Sequence, residues 1–188
     1  MKEVEEKVLH DGIVIDNDIL KVDSFINHQI DISLLRKISK YLADAFPNVD
    51  KILTIETSGI AFATGVAMEL GDVPLLFAKK SKSKIVDPNA VYTSVVKSFT
   101  RNIQSEVTVS KNYLHKGERV LIVDDFLAEG NASLGLIDIC KQAGAEVAGV
   151  AIVVEKGFQP GRARLEEMGI KVVSCAVIKE FKDNKPVF

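Results

Sequence analysis

Four aliphatic residues of the stretch "VLIVDDFLAEGNAS" (120–133) run straight into two adjacent carboxylates, Asp124 and Asp125. An unbroken aliphatic run bounded by polar turn residues predicts a strand covered on both faces of a parallel sheet. Such sheets bind ligands beyond the carboxyl ends of their strands, which is where this acidic pair falls. Neighbouring carboxylates repel each other unless hydroxyl donors or cations stand between them. The loop that follows carries Gly130 and enters a helix near Asn131. A helix entry offers free backbone N–H groups and a positive dipole end, which suits a phosphate. Hydroxyls or a metal on the aspartates, with a phosphate on the loop, describe a sugar phosphate.

A second stretch repeats the plan. "TIETSGIAFA" (54–63) reads as a strand, a polar turn with Gly59 and a helix, so Thr57, Ser58 and Gly59 offer N–H groups on the same rim. The run "AKKSKSK" (78–84) leaves the end of the next strand and supplies Lys79, Lys80, Lys82 and Lys84. A basic run is ordinarily a solvated loop. Its place at the strand ends makes Lys79 and Lys80 candidates for neutralising a departing polyanion.

The elements that must position these residues alternate along the chain. A short helix is predicted over 2–10, strand and loop pieces over 12–29, and an amphipathic helix over 33–46 that Pro47 ends. Strands are predicted over 51–57, 73–80, 120–126, 146–156 and 171–181, with helices over 58–70, 132–143 and 161–169. Continuous apolar strands alternating with helices give an α/β fold, a mostly parallel sheet flanked by helices. Residues 94–110 alternate with more polar side chains and predict an antiparallel hairpin or arm.

Composition bounds the rest. The 188 residues fit one domain, and 47% hydrophobic with 6% aromatic content suits an aliphatic core. A net charge of −2 provides no field to recruit nucleic acid. The apolar runs are too short to span a bilayer, and the charged N-terminus has no secretory h-region, so no membrane partner and a cytoplasmic setting are expected. Cys140 and Cys175 lack any zinc or CxxC spacing and read as reduced core residues, and three scattered histidines make no metal cluster.

The stretch 120–133 resembles the phosphoribosyl pyrophosphate (PRPP) signature of type I phosphoribosyltransferases. That resemblance implies that Asp124 and Asp125 hold the ribose hydroxyls. It implies that Ala128, Glu129, Gly130, Asn131 and Ala132 cradle the 5′-phosphate, with Ser133 beside them. The family loop usually carries threonines where this chain has Glu129 and Ala132, so backbone N–H groups, Asn131 and Ser133 must replace them. Members with an acid at the position of Ala128 have a proposed general base, which this chain lacks. The "ETSG" turn resembles the family's pyrophosphate loop, with Ser58 where many relatives have arginine. Residues 81–94, "SKSKIVDPNAVYTS", resemble its mobile hood loop. Mg²⁺ bound through PRPP, with no dedicated protein site, is implied as cofactor.

Three further pieces, "LKVDSFINHQID" (20–31), "VDDFLAEGNA" (123–132) and "EKGFQPGR" (155–162), resemble the bacterial xanthine phosphoribosyltransferases over nearly the whole chain. The resemblance implies purine salvage, with xanthine and PRPP as substrates and a homodimer as the working unit. It places Lys156 on a purine oxo group and Leu20 and Asn27 around the base, while Phe158, by its aromatic ring alone, is a candidate either for stacking on the base or for the core. A small hood would come from about 1–35 and 155–188, over a core of about 36–154, in one domain spanning 1–188. A lysine donor selects oxopurines over adenine. Xanthine, guanine and hypoxanthine differ only at the 2-position, which no residue here decides. Transfer to guanine, hypoxanthine or a pyrimidine, and a PRPP-sensing regulator without chemistry, remain as alternatives.

Overall fold

The computed structural model describes residues 1–80, 87–97 and 104–188, without the side chains of 88, 97 and 104. Five parallel strands make the central sheet: β3 (Lys51–Ile55), β4 (Leu75–Ala78), β7 (Arg119–Leu127), β8 (Glu146–Lys156) and β9 (Val172–Ile178). Their spatial order is β4-β3-β7-β8-β9. The chain starts at β3, steps to β4 on one side, then returns past β3 to β7 and builds outward. The loops leaving β3 and β7 therefore diverge and leave a crevice at their carboxyl ends, the usual ligand site of a doubly wound sheet.

Side chains of β7 alternate between two cores, as the period of two requires. Leu121 and Val123 join the core under α1 (Lys2–Asp11), α2 (Ile32–Ala45) and α3 (Gly59–Glu69). Val120 and Ile122 join the other, under α4 (Asn131–Ala143) and α5 (Gly161–Glu166). Burial on both faces explains why the strands read as unbroken aliphatic runs. The α2 helix starts two residues after Gln29-Ile30 because Asp31 caps it, its carboxylate accepting from the Leu34 N–H at 3.0 Å. The expected arm is the antiparallel hairpin of β5 (Val91–Lys97) and β6 (Gln104–Ser110), tied to the sheet rim where Lys79 and Thr108 exchange backbone hydrogen bonds.

Two small hairpins join the chain ends. One is β1 (Ile13–Ile15) with β2 (Ile19–Lys21). The other is β10 (Glu180–Lys182) with β11 (Lys185–Val187). The last strand thus ends at Ile178 and not at 181, because the Asp183-Asn184 turn folds the tail back. Both turns carry an Asp-Asn pair at positive φ: 52° and 50° at Asp16 and Asn17, 51° and 55° at Asp183 and Asn184. Asn and Asp tolerate that conformation best among residues with a side chain. The turns also hold each other. Asn17 N–H donates to Asn184 Oδ1 at 3.1 Å, and Asn184 N–H donates to Asn17 Oδ1 at 2.8 Å.

Candidate active site

The acidic pair lies among the last four residues of β7, beside the crevice, and the strand runs on to Leu127 rather than ending in the pair. Asp124 is 6% exposed. Its Oδ1 accepts from the Asp125 N–H at 3.0 Å. Burial first, and the Asp125 charge second, push the Asp124 carboxyl well above the usual carboxylate range. Burial raises Asp125 as well, and the Lys80 charge opposes the rise at both. The site holds two carboxylates poorly in their charged forms, with one lysine as partial compensation. Hydroxyl donors or a cation would relieve it.

The turn after β3 meets this pair directly. A Cβ placed on Gly59 would stand 2.6 Å from Thr54 Oγ1 and 2.8 Å from Asp124 Oδ1, so only glycine lets α3 begin here. Thr54 Oγ1 is buried and has no hydrogen-bond partner among the described residues. Thr57 is exposed and Ser58 half-buried above it. Glu56 ties this turn to the next strand, its Oε2 accepting from the Lys80 N–H at 3.0 Å. Lys79 and Lys80 are exposed on the same rim. Lys82 and Lys84, with residues 81–86 of the expected hood loop, lie outside the described residues, and the rest of that loop forms a 3-10 turn (Pro88–Ala90) and the start of β5.

The loop after β7 is Ala128 to Gly130, with Asn131 and Ala132 already in the first turn of α4. Gly130 adopts φ 80°, the left-handed conformation that glycine tolerates at a helix entry. Ser133, also in the first turn of α4, is 2% exposed. Gly161, from "EKGFQPGR", packs against this loop: its N–H donates to Ala128 O at 2.9 Å. A Cβ on Gly130 would lie 3.1 Å from Gly161 Cα.

At the end of β8, Lys156 is 7% exposed. Its ammonium donates to Asp18 O at 2.6 Å and lies 5.6 Å from the Phe181 ring centroid. Burial lowers its pKa. Phe158 is half-exposed and meets Phe181 edge-on, ring centroids 5.3 Å apart. Leu20 is buried in the first hairpin. Asn27 is exposed at the end of a π-helical turn, Asp23–Asn27, a conformation frequent at functional sites.

Sequence reading passed over several residues that shape this turn. Glu155, 1% exposed, receives Arg162 Nε at 2.7 Å and Nη2 at 2.6 Å, while the Ser174 hydroxyl donates to it at 2.5 Å. The pair closes the segment that presents Lys156. Phe181 belongs to a hairpin the periodicity hid, and Arg164 joins the cradle from α5. Arg164 meets partners more than thirty residues away, which no local pattern marks, whereas Glu155 and Arg162 are seven residues apart within "EKGFQPGR".

A sequence profile of the phosphoribosyl transferase domain matches residues 24–185. A xanthine phosphoribosyltransferase of Laribacter hongkongensis is 50% identical over 190 residues, covering all of both chains. Xanthine phosphoribosyltransferase 1 of Clostridium perfringens is 51% identical over 191 residues, again covering all of both. Among solved structures, the adenine phosphoribosyltransferase of Giardia lamblia bound to 9-deazaadenine superposes with a TM-score of 0.77 at 19% identity, covering 93% of this chain and 97% of that one. That of Thermoanaerobacter pseudethanolicus gives 0.74 at 21%, covering 92% and 98%.

Proposed function

The chain belongs to the phosphoribosyl transferase family, and from that premise we propose that it transfers the 5-phosphoribosyl group of PRPP to xanthine, yielding xanthosine 5′-monophosphate and pyrophosphate. The observation that carries this is the crevice at the strand-order switch: a buried acidic pair between two glycine-bearing turns, with Gly59 against the Asp124 carboxylate. Full-length relatives named for xanthine support the base.

Each group has a part set by its chemistry. Asp124 and Asp125 accept hydrogen bonds from the two ribose hydroxyls, which relieves their mutual repulsion. N–H groups of residues 128–132 take the 5′-phosphate, and those of Thr57, Ser58 and Gly59 take the pyrophosphate. Lys79 and Lys80 balance the charge that grows on the leaving pyrophosphate as the anomeric C–O bond breaks. A ring nitrogen of the base forms the new bond to that carbon and loses its proton. Lys156 donates to a purine oxo group, Leu20 and Asn27 close around the base, and Phe158 lies against its ring. The hood is assigned to about 1–35 and 155–188, which the Lys156–Asp18 and Asn17–Asn184 bonds support. As part of the same proposal the enzyme is a homodimer that serves cytoplasmic purine salvage. Among the described residues no helix is long and apolar enough to cross a membrane.

Magnesium fits as a passenger of the substrate. No group of three or more His, Cys, Asp and Glu among the described residues forms a cage, and Mg²⁺ commonly takes one or two carboxylates with phosphate oxygens. Asp124 and Asp125 would face it, and when bound it neutralises charge on the pyrophosphate.

The test is pyrophosphate release from PRPP and Mg²⁺ with xanthine, guanine, hypoxanthine and adenine in parallel. Xanthine should be the best substrate and adenine inert. A preference for guanine or hypoxanthine would overturn the base assignment. PRPP binding without turnover on any base would make the chain a sensor.

A further inference from the structure

The loop 128–132 offers a 5′-phosphate mainly backbone N–H groups, so the direction of its peptides decides what it can hold. Helix α5 does the aiming at three points. Gly161 N–H donates to Ala128 O at 2.9 Å. Arg164 Nη1 donates to Glu129 O at 2.7 Å and to Asn131 Oδ1 at 3.1 Å. Gly161 itself sits so close that any side chain there would strike the Ala128 carbonyl oxygen. In a trans peptide the C=O and the following N–H point in opposite directions. Among the described residues the sole cis bond is Glu56–Thr57, so the loop peptides are trans. Pinning the Ala128 carbonyl toward α5 therefore turns the Glu129 N–H away from it. Pinning the Glu129 carbonyl does the same for the Gly130 N–H. Arg164 is exposed, yet α5 is anchored by buried Gly161 and Leu165, so the guanidinium is presented from a fixed base.

Resting on the reading of this loop as the phosphate cradle, we propose that Arg164 is a positioning residue for the 5′-phosphate: it holds the Glu129 carbonyl and the Asn131 amide so that the Gly130 N–H faces the ligand. The same segment, 156–164, presents Lys156 to the base at its start. One stretch of chain thereby links the two ends of the nucleotide.

The experiment is calorimetric titration of wild type, Arg164→Ala and Arg164→Lys with ribose 5-phosphate and, separately, with pyrophosphate. Ribose 5-phosphate reports the cradle, and pyrophosphate reports the other loop. Arg164→Ala should weaken ribose 5-phosphate by about tenfold, the worth of one charge-assisted hydrogen bond, and leave pyrophosphate unchanged. Arg164→Lys should recover part of the loss, since an ammonium reaches one acceptor without the planar fork for both. In turnover, KM for PRPP should rise and KM for the purine hold. Equal weakening of both ligands, or of neither, would overturn the proposal. A wild-type protein that binds neither ligand would instead overturn the reading of the site on which it rests.

Discussion

Gly59 and Asp124 meet at the crevice so closely that a methyl group on the glycine would lie 2.8 Å from the carboxylate oxygen. A strand and a helix start separated by about a third of the chain are thereby fixed against each other. Gly59→Ala must push the carboxylate aside or lift the start of α3. Displacements of about 1 Å in a positioned site can cost about 100-fold in rate. We expect kcat/KM for PRPP to fall by about that factor while circular dichroism at room temperature stays that of wild type. An unchanged kcat/KM would remove Gly59 from the site.

Asp124 should trade stability for function. Its carboxyl is raised by burial and by Asp125, so the native state holds a proton that the unfolded chain gives up earlier. The stabilising contribution of the protonated form is complete below the unfolded pKa and is lost as pH rises through the native one. Above the unfolded value the ligand-free protein therefore loses stability at this position. Asp124→Asn should raise Tm near neutrality, by about 2–4 °C for each kcal/mol relieved in a domain of this size. It should abolish measurable PRPP binding. The Tm difference should shrink as pH falls through the native pKa, which differential scanning fluorimetry across pH will show.

Lys156 is lowered by burial, so its ammonium is lost at a pH below that of an ordinary lysine. KM for the oxopurine should rise as pH climbs through that lowered value, while KM for PRPP stays flat. On the stability side the unfolded chain binds the extra proton in the window between the native and unfolded pKa values, so stability rises with pH there. Lys156→Gln should flatten the KM profile and raise the oxopurine KM by about tenfold, the scale of one hydrogen bond to a charged donor. Initial rates against pH for both substrates check this.

The Glu155–Arg162 pair is a structural commitment. Removing one partner of a buried pair strands the other, at about 3–5 kcal/mol. Arg162 is 31% exposed at its side chain, so Arg162→Ala should cost less, about 2–4 kcal/mol after solvent screening. Urea denaturation measures that loss. The raised purine KM that accompanies it should be restored by Arg162→Lys only in part, because lysine cannot make the two-pronged contact.

Much of this was legible beforehand, for identifiable reasons. Sheet strands buried on two faces must be aliphatic throughout, so "VLIV" and "VAGVAIVVEK" announced themselves, and the limits of the first four helices fell within one residue, while α5 stops at Glu166, three residues short of the expected 169. The acidic pair and both glycine turns are local patterns, so they too were readable. What stayed hidden depends on distance along the chain. Nothing near Arg164 says that its partners are Glu129 and Asn131. The tail hairpin carried a signal, since Asp183-Asn184 repeats the turn pair Asp16-Asn17, but a hydrophobic run ending in Phe181 drew the last strand past its true end at Ile178.

The reciprocal bonds between Asn17 and Asn184 join two short hairpins at their exposed turns. Both hairpins are three-residue pairings at exposed turns, joined there by two hydrogen bonds, whereas the acidic pair sits on a nine-residue strand in the middle of the sheet. Short exposed pairings open locally at little cost, and central strands open only with the whole fold. Under the proposed function, the hairpin tips can part and rejoin many times while Asp124 and Asp125 stay in register, so the base would be held more briefly than the sugar phosphate.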